Sequence, residues 1–600
     1  MLGRLPGLRA VRVLGRLPGL RAVKSYQRQW LAKDVVAGVV LSTLLVPQGM
    51  AYAELAGLPP ITGLYTSILC LLGYAVFGPS RILVLGPDSS LGPMIAATIL
   101  PLAGADGDPK RAVALASMLA LIVGAIMIVG AVAKLGFIAD LISKPTMIGY
   151  MNGLALTILV GQLPKLFGFK VEAEGLIGEI GEFFKALAGG EAVAAAAAVG
   201  ICGIATILAL QRWLPKFPAV LIMVVAAIAA TTIFGLDRHG VSLVGVLPKG
   251  FPPLTVPGIR LADLGPLFAG ALGIAVVSLA DTISTASAFA ARSGQHVHGN
   301  GEMIGIGAAN LAAGFFQGFP VSTSGSRTAV AERSGAKSQL AGVTGAAVII
   351  VMIILLPGLF RNLPQPALAA VVITASLSLA DIPATTRLWR QRKVEFLLSV
   401  TAFAGVALLG VLPGIAVAVA LSILNVFRRA WWPYETELGR VTGLAGYHDV
   451  QVYPEAQRLP GLVIYRFDAP LFFANATTFR DEIRHLAKAD PPPAWIIVAA
   501  EPMTDVDTTA SDVLEELDAT LNAQGTSLVF AELKDPVRRK IERYGLTRTI
   551  SPRHFFPTIE SAVAAFRRET GAEWAVAVPL PRNHPPLGDA LPRRGSEPGS

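Results

Sequence analysis

From about residue 35 to residue 426 the chain is mostly a series of apolar stretches, each long enough to cross a hydrocarbon core of about 30 Å. Few constraints on a fold are stronger. In lipid, each segment has to satisfy its own backbone hydrogen bonds, and irregular backbone survives only where protein or a cavity surrounds it. The composition agrees. The 600 residues are 53% hydrophobic and 15% charged, whereas a soluble domain carries about 25% charge. A soluble enzyme is excluded. Ordinary charge density returns from Tyr447 onward. The expected division is a basic tail (1–33), a membrane domain (34–430), a small soluble domain (447–572) and a tail rich in Pro, Gly and Arg (573–600), expected to be disordered.

The apolar segments number fourteen, near 35–52, 61–77, 81–100, 111–133, 137–160, 193–210 and 218–234, then 264–291, 303–317, 324 onward, 338–356, 366–380, 394–411 and 413–427. The formal charge of +9 is unevenly placed. Arg4, Arg9, Arg12, Arg16, Arg21, Lys24, Arg28 and Lys33 crowd the N-terminus with no acid among them, a bias that holds this end in the cytoplasm. Arg428 and Arg429 place the soluble domain on the same side, so the number of crossings is even. The localisation expected is the inner or plasma membrane, with both termini cytoplasmic. Because the basic tail abuts a crossing, no nucleic-acid partner is expected; the bilayer is the partner. Residues 2–11 recur identically at 14–23, a duplication too short for a solenoid. The acidic stretch between about 165 and 192 reads as an external loop, and Arg387, Arg390, Arg392 and Lys393 as a cytoplasmic turn. Cys70 and Cys202 lie in apolar segments and read as buried packing residues. No catalytic triad, phosphate loop or zinc site is present, and no cofactor is expected.

Two segments break the pattern. Gly318-Phe319-Pro320-Val321-Ser322-Thr323-Ser324-Gly325-Ser326-Arg327-Thr328 is crowded with hydroxyls, and Pro320 ends any helix arriving from its N-terminal side. The Ser/Thr/Gly run suits the cap of a new helix starting near Ser324. Arg81 to Pro93 has the same grammar, an extended run, then Gly86-Pro87-Asp88-Ser89-Ser90, then an apolar helix. With halves at about 34–235 and 264–430, the broken segment is third in each. Paired breaks at corresponding places mark the centre of an inverted-repeat transporter, and a helix starting there offers free N–H groups and a positive dipole end to an anion.

Several polar residues lie at membrane depth. Asp281 reads as the one acid deep within a crossing, and Thr285, four residues on, shares its helix face. The pair can hold Na⁺ as the coupling ion, Asp281 can carry a proton, or Asp281 can form a structural bond to Arg327 or to helix ends. Arg327, one turn into the broken helix, either attracts an anion or serves as that structural partner. Ser89, Ser90, Ser324 and Ser326 can donate to an oxyanion, with Gly325 opening the helix between them. Pro47-Gln48 marks either a kink or a cavity wall. In the soluble part, strands near 461–467, 494–499 and 526–531 alternate with helices, an α/β pattern. Asp507, Thr508 and Thr509 enter a helix N-terminus, where they cap that helix or bind or accept phosphate.

Val46-Pro47-Gln48-Gly49-Met50-Ala51-Tyr52-Ala53, Ala56-Gly57-Leu58-Pro59-Pro60, Gly63-Leu64-Tyr65, Gly86-Pro87, Ser326-Arg327-Thr328 and Gly335-Ala336-Lys337 together resemble the sulfate permease (SulP) family of anion transporters. The soluble part is similar to the STAS domain. The likeness covers about residues 30–570. It implies a multi-pass α-helical fold of fourteen segments in a 7+7 inverted repeat, with core and gate parts, an elevator-like motion, a homodimer and a cytoplasmic STAS domain. By motif match Gln48, Tyr52, Ser90, Ser324 and Arg327 line the substrate site between segments three and ten. Many members carry Glu where this chain has Asp281, and Asp with Thr four residues on resembles the sodium-coupled bicarbonate members. In the STAS loop, Thr508 matches the phosphorylatable Ser of anti-sigma-factor antagonists, and a regulatory protein or nucleotide is a further expected partner.

The leading expectation is a secondary active transporter of a small inorganic oxyanion, with sulfate first, coupled to H⁺ or Na⁺. A Na⁺–bicarbonate symporter is the alternative, an anion exchanger or channel a third, and a STAS-centred sensor a fourth.

Overall fold

The computed structural model describes residues 18–19, 25–104, 108–137, 143–171, 173, 175–214, 217–293 and 297–574. Apart from residues 18–19, the residue 2–23 duplication lies outside them, as do most of the basic tail and the C-terminal tail beyond 574. The chain divides into two units, Met1–Ile423 and Leu424–Ser600, a boundary a few residues before the one expected at 430.

The first unit is helical. Its first half holds α1 (Leu31–Leu55), α2 (Pro60–Phe77), α3 (Gly92–Ala103), α4 (Pro109–Val132), α5 (Lys144–Phe167), α6 (Gly175–Ala188), α7 (Ala194–Trp213) and α8 (Ala219–Phe234). The second half holds α9 (Leu264–Ser293), α10 (Gly299–Phe315), α11 (Gly325–Arg333), α12 (Leu340–Leu355), α13 (Gln365–Leu379), α14 (Ile382–Gln391), α15 (Lys393–Leu409) and α16 (Val411–Trp431). Eight helical stretches among the described residues are long and apolar enough to cross a membrane. The breaks explain two of the shorter helices: β1 (Leu85–Gly86) precedes α3 and β2 (Ser322–Thr323) precedes α11.

Two elements differ from the sequence reading. The acidic stretch expected to be a loop contains α6, which turns Leu176, Phe183 and Ala186 inward. Those positions recur at helical spacing, so an amphipathic helix replaces a loop. The basic turn contains α14, capped by Asp381 accepting from the Ala384 N–H at 2.9 Å. Each extra helix falls between the fifth and sixth segments of its half, so the two are related as the repeats are. Cys70 is buried, but Cys202 is exposed on α7, which corrects the reading of both as buried.

Small residues let helices meet backbone to backbone. A Cβ on Gly63 would lie 1.8 Å from the Gly49 carbonyl oxygen, fixing the α1–α2 contact. Pro47 lies inside α1, and the helix continues through it.

In the second unit six strands order as β4 (Tyr447–Asp449), β3 (Glu435–Arg440), β5 (Leu462–Phe467), β6 (Trp495–Ala499), β7 (Ser527–Ala531) and β8 (Phe555–Phe556). The sheet therefore begins at Glu435, ahead of the boundary expected at 447. β5 to β8 run parallel, and β3 is antiparallel to β5. Alternate side chains of β6 serve opposite cores. Ile496 and Val498 join α17 (Ala476–Leu486), α18 (Thr508–Ala523) and α19 (Asp535–Tyr544). Trp495 and Ile497 meet Phe566 of α20 (Ile559–Thr570) on the other face. Central β6 is buried throughout, as a strand covered on both faces should be.

Two predictions follow from this packing. Gly63→Ala forces α1 and α2 apart, a strain of about 1–3 kcal/mol. The melting temperature of the detergent-solubilised protein should fall, and an unchanged one would refute the contact. Asp518 on α18 accepts from Asn522 Nδ2 at 2.9 Å, and burial pushes its carboxyl up to about 6. Its contribution to stability is complete below the unfolded value of about 4 and is lost as pH rises through the folded value. Asp518→Asn should therefore raise the unfolding temperature of this domain at neutral pH and leave it nearly unchanged in acid, as calorimetry at both pH values would show.

Candidate functional site

The two breaks meet. β1 and β2 pair antiparallel, with Leu85 opposite Thr323 and Gly86 opposite Ser322. Ser324 N–H donates to the Val84 carbonyl at 3.1 Å, and Val84 N–H donates to Thr328 Oγ1 at 3.1 Å. Short strands can sit at membrane depth only because neighbouring helices satisfy the surrounding backbone. Thr66 Oγ1 of α2 accepts from Phe319 N–H (3.1 Å), and Ser117 of α4 donates to the Gly318 carbonyl (3.1 Å). Ser278 of α9 donates to the Val321 carbonyl (3.0 Å), and Asn310 Oδ1 of α10 accepts from Val321 N–H (3.1 Å). Thr282 Oγ1 and Thr323 Oγ1 are 2.8 Å apart.

Each strand feeds a helix. Ser324 caps α11, its Oγ accepting from Arg327 N–H at 3.4 Å. Asp88 Oδ1 accepts from the N–H and hydroxyl of Ser90, at 3.0 and 2.8 Å, and so holds the turn into α3. Both N-termini border a cavity of about 440 Å³.

Gln48 and Tyr52, one turn apart on α1, line this cavity. Ser89 and Ser90 border it from the first break; Ser324, Gly325 and Ser326 do so from the second. Asp281 and Thr285 face it from α9, and Ser90 Oγ donates to Asp281 Oδ2 at 3.1 Å. Met151 of α5, Gln211 of α7 and Thr374 and Ser378 of α13 close the opposite side.

Arg327 is placed differently from the others. It is fully buried and does not line the cavity. Its Nη2 donates to the Pro87 carbonyl at 2.6 Å and lies 3.4 Å from Asp88 Oδ2. The guanidinium ties the first break to the second from behind the wall, pairing with Asp88 instead of Asp281. Its Nε and Nη1 and the Ser322 hydroxyl are buried with no hydrogen-bond partner among the described residues. A Cβ at Gly86 would lie 2.3 Å from Arg327 Nη1, so glycine makes room for the guanidinium.

Sequence reasoning missed Asp88 as a cavity group. The signal was available, since a carboxylate stands inside a break at membrane depth. Thr374 and Ser378 are hydroxyls four apart in an apolar segment, a spacing that puts both on one face. Gln211 gave no signal beyond its polarity. In the second unit both Asp507 carboxylate oxygens are used: Oδ1 accepts from Ala510 N–H at 2.8 Å and Oδ2 from Phe473 N–H at 2.9 Å. Asp507 thus caps α18, while Thr508 and Thr509 stand exposed. Nearby, the hydrogen bond from Lys540 holds the Asp505 carboxyl below the usual carboxylate range.

Paired breaks around a cavity inside an apolar helical unit, with an α/β domain following, are the architecture of a multi-pass membrane transporter. The chain belongs to the sulfate permease family, whose profile matches residues 31–402, and a STAS domain profile matches residues 453–562. It is 41% identical over 546 residues to a probable sulfate transporter of Mycobacterium tuberculosis, covering 91% of this chain and 97% of that one. Probable sulfate transporter 3.3 of Arabidopsis thaliana is 31% identical over 569 residues, covering 90% and 89%. Among solved structures, the murine Solute Carrier 26 family member A9 anion transporter in the inward-facing state superposes with a TM-score of 0.85 at 23% identity, covering 95% and 96%, a likeness of fold.

Arg327→Met keeps the stem and removes the guanidinium. The Pro87 carbonyl and Asp88 then lose their buried donor, a cost of about 3–5 kcal/mol. The melting temperature should fall, and added sulfate should no longer raise it. Unaltered melting with sulfate protection intact would contradict this.

Proposed function

We propose that the chain is a secondary active transporter of a small inorganic oxyanion, with sulfate as its leading substrate, coupled to H⁺ or Na⁺. One observation carries this reading: two helix N-termini and their serines border a polar cavity that also holds Asp281. The N–H groups and dipole ends of α3 and α11 favour an anion, and Arg327 adds positive charge from behind. Asp88 and Asp281 oppose it. Arg327 pairs with Asp88, so bringing an anion beside Asp281 in a low-dielectric cavity is costly unless a proton or a metal cation neutralises that carboxylate. Coupling follows from that electrostatic requirement.

A second reading, Na⁺–bicarbonate symport, is favoured by Asp281 and Thr285 facing the same cavity with Ser90 between α3 and α9. A carboxylate, two hydroxyls and nearby backbone carbonyls are hard oxygen ligands suited to Na⁺. The homology argues for sulfate; the ligand set argues for Na⁺.

The β1–β2 pairing makes the two site-bearing segments one body, while α5, α7, α8 and α13 wall the other side. An elevator-type motion of the first group against the second would expose the cavity to each face in turn. The basic N-terminus, with Arg428 and Arg429 after the last crossing, supports placing both termini in the cytoplasm, and the assembly proposed is a homodimer. Exposed Thr508 at the start of α18 is the proposed regulatory position of the STAS domain, toward a protein or nucleotide.

Uptake of labelled sulfate and labelled bicarbonate into proteoliposomes, under an imposed Na⁺ or H⁺ gradient in turn, tests the function. Sulfate accumulation that follows the proton gradient supports the leading reading; bicarbonate accumulation that follows Na⁺ supports the second. Asp281→Asn should abolish gradient-driven accumulation in either case, and a mutant that still concentrates substrate removes Asp281 from coupling.

A further inference from the structure

A second space of about 820 Å³ adjoins the site cavity and shares Gln48, Gln211, Val220 and Ser326 with it. Two helices form its long walls. On α1 the lining runs from Gln48 back through Leu44 to Val40, about 12 Å along the axis. On α11 it runs from Ser326 through Ala329 and Val330 to Arg333, about 10 Å. Those α11 positions fall at helical spacing on one face. The space therefore leads from the N-terminus of α11, where the cavity lies, to its C-terminus. That end lies at the face from which α1 enters, since the Lys33 side chain approaches within 3.8 Å of a Cβ on Gly335.

Arg333 is the one charged side chain lining this vestibule among the described residues. It is exposed, and among the described residues no carboxylate pairs with its guanidinium. The remaining walls are apolar or neutral, contributed by Val40, Leu44, Phe217 and Val220. A cleft with low-dielectric walls and a single sign of charge focuses the field and concentrates counter-ions of the opposite sign.

We propose that Arg333 gathers the substrate anion at the mouth of this vestibule and so sets the apparent affinity for substrate entering from that face. The inference rests on the transport reading above. It adds a residue remote from the cavity, a direction and a charge rule. The attraction energy scales with the anion's charge, so the local enrichment of a divalent anion is the square of that of a monovalent one.

A basic residue in the last turn also favours the helix dipole, so the test has to separate steering from helix support. Concentration dependence of transport is measured from each face, in proteoliposomes of defined orientation, for Arg333→Gln, Arg333→Lys and Arg333→Glu. At low ionic strength Arg333→Gln should raise the half-saturating concentration from the vestibule face about threefold for bicarbonate and about tenfold for sulfate. The maximal rate and the opposite face should be unchanged. The difference should fade in about 0.5 M gluconate salt. Arg333→Lys should keep wild-type behaviour, and Arg333→Glu should exceed the Gln variant. A wild-type half-saturation in Arg333→Gln overturns the inference alone. Equal change from both faces, insensitive to salt, also overturns it and assigns Arg333 to helix support. Wild-type protein that moves neither anion overturns the transport reading and this inference with it.

Discussion

A pair of two-residue strands governs the membrane unit. Leu85 and Gly86 pair with Ser322 and Thr323, and so bring the starts of two helices to the border of one cavity. Strands this short have no independent stability. They persist because Thr66, Ser117, Ser278 and Asn310 satisfy the irregular backbone around them, and because the Arg327 guanidinium reaches across to the Pro87 carbonyl. Each supporting side chain comes from a different helix. Several of the scaffold's polar residues therefore hold the break, and others, such as Ser90 and Ser324, face the cavity.

That division of labour explains what was legible in the sequence. Pro320 and Pro87, flanked by glycines and hydroxyls in otherwise apolar surroundings, announced both breaks, and N-cap chemistry located the start of α11 at Ser324. The cap itself is visible in the Ser324–Arg327 bond. What the sequence did not show was which way Arg327 points. A basic residue one turn into a helix reads as facing the ligand, but its direction is set by the small volume at Gly86 and by the acceptor at Pro87, both supplied by a segment about 240 residues away in the chain. Tertiary pairings of that range leave no periodicity to read. Helix α6 was missed for a different reason: acidic residues outweighed the Leu176 and Phe183 stripe that buries its inner face.

The balance of charge at the cavity ties the proposed coupling to the architecture. Two carboxylates, Asp88 and Asp281, line it, and the nearest guanidinium lies behind the wall. Attraction for an anion then rests on helix dipoles and N–H groups, which act over short distances and weaken beyond the first turn. On the proposed reading such a site holds its substrate modestly, and a transporter has to release what it binds. A guanidinium in direct contact would deepen the well and slow release. Burying Arg327 supplies positive potential without a direct grip.

The same logic extends outward along α11. Its N-terminus provides the site, its buried face carries Arg327 to the first break, and its exposed face runs through the vestibule to Arg333. One nine-residue helix therefore offers an anion a charge at the mouth, a neutral path and a dipole end at the site. Long-range attraction belongs at the mouth, where capture but not binding is required; short-range donors belong where the anion must stop. On that reading, an α11 with an arginine in contact with the anion and none at the mouth would bind more tightly and turn over more slowly. On the proposed reading, the separation of these two charges along a single helix lets capture at the mouth and release from the central site be set independently.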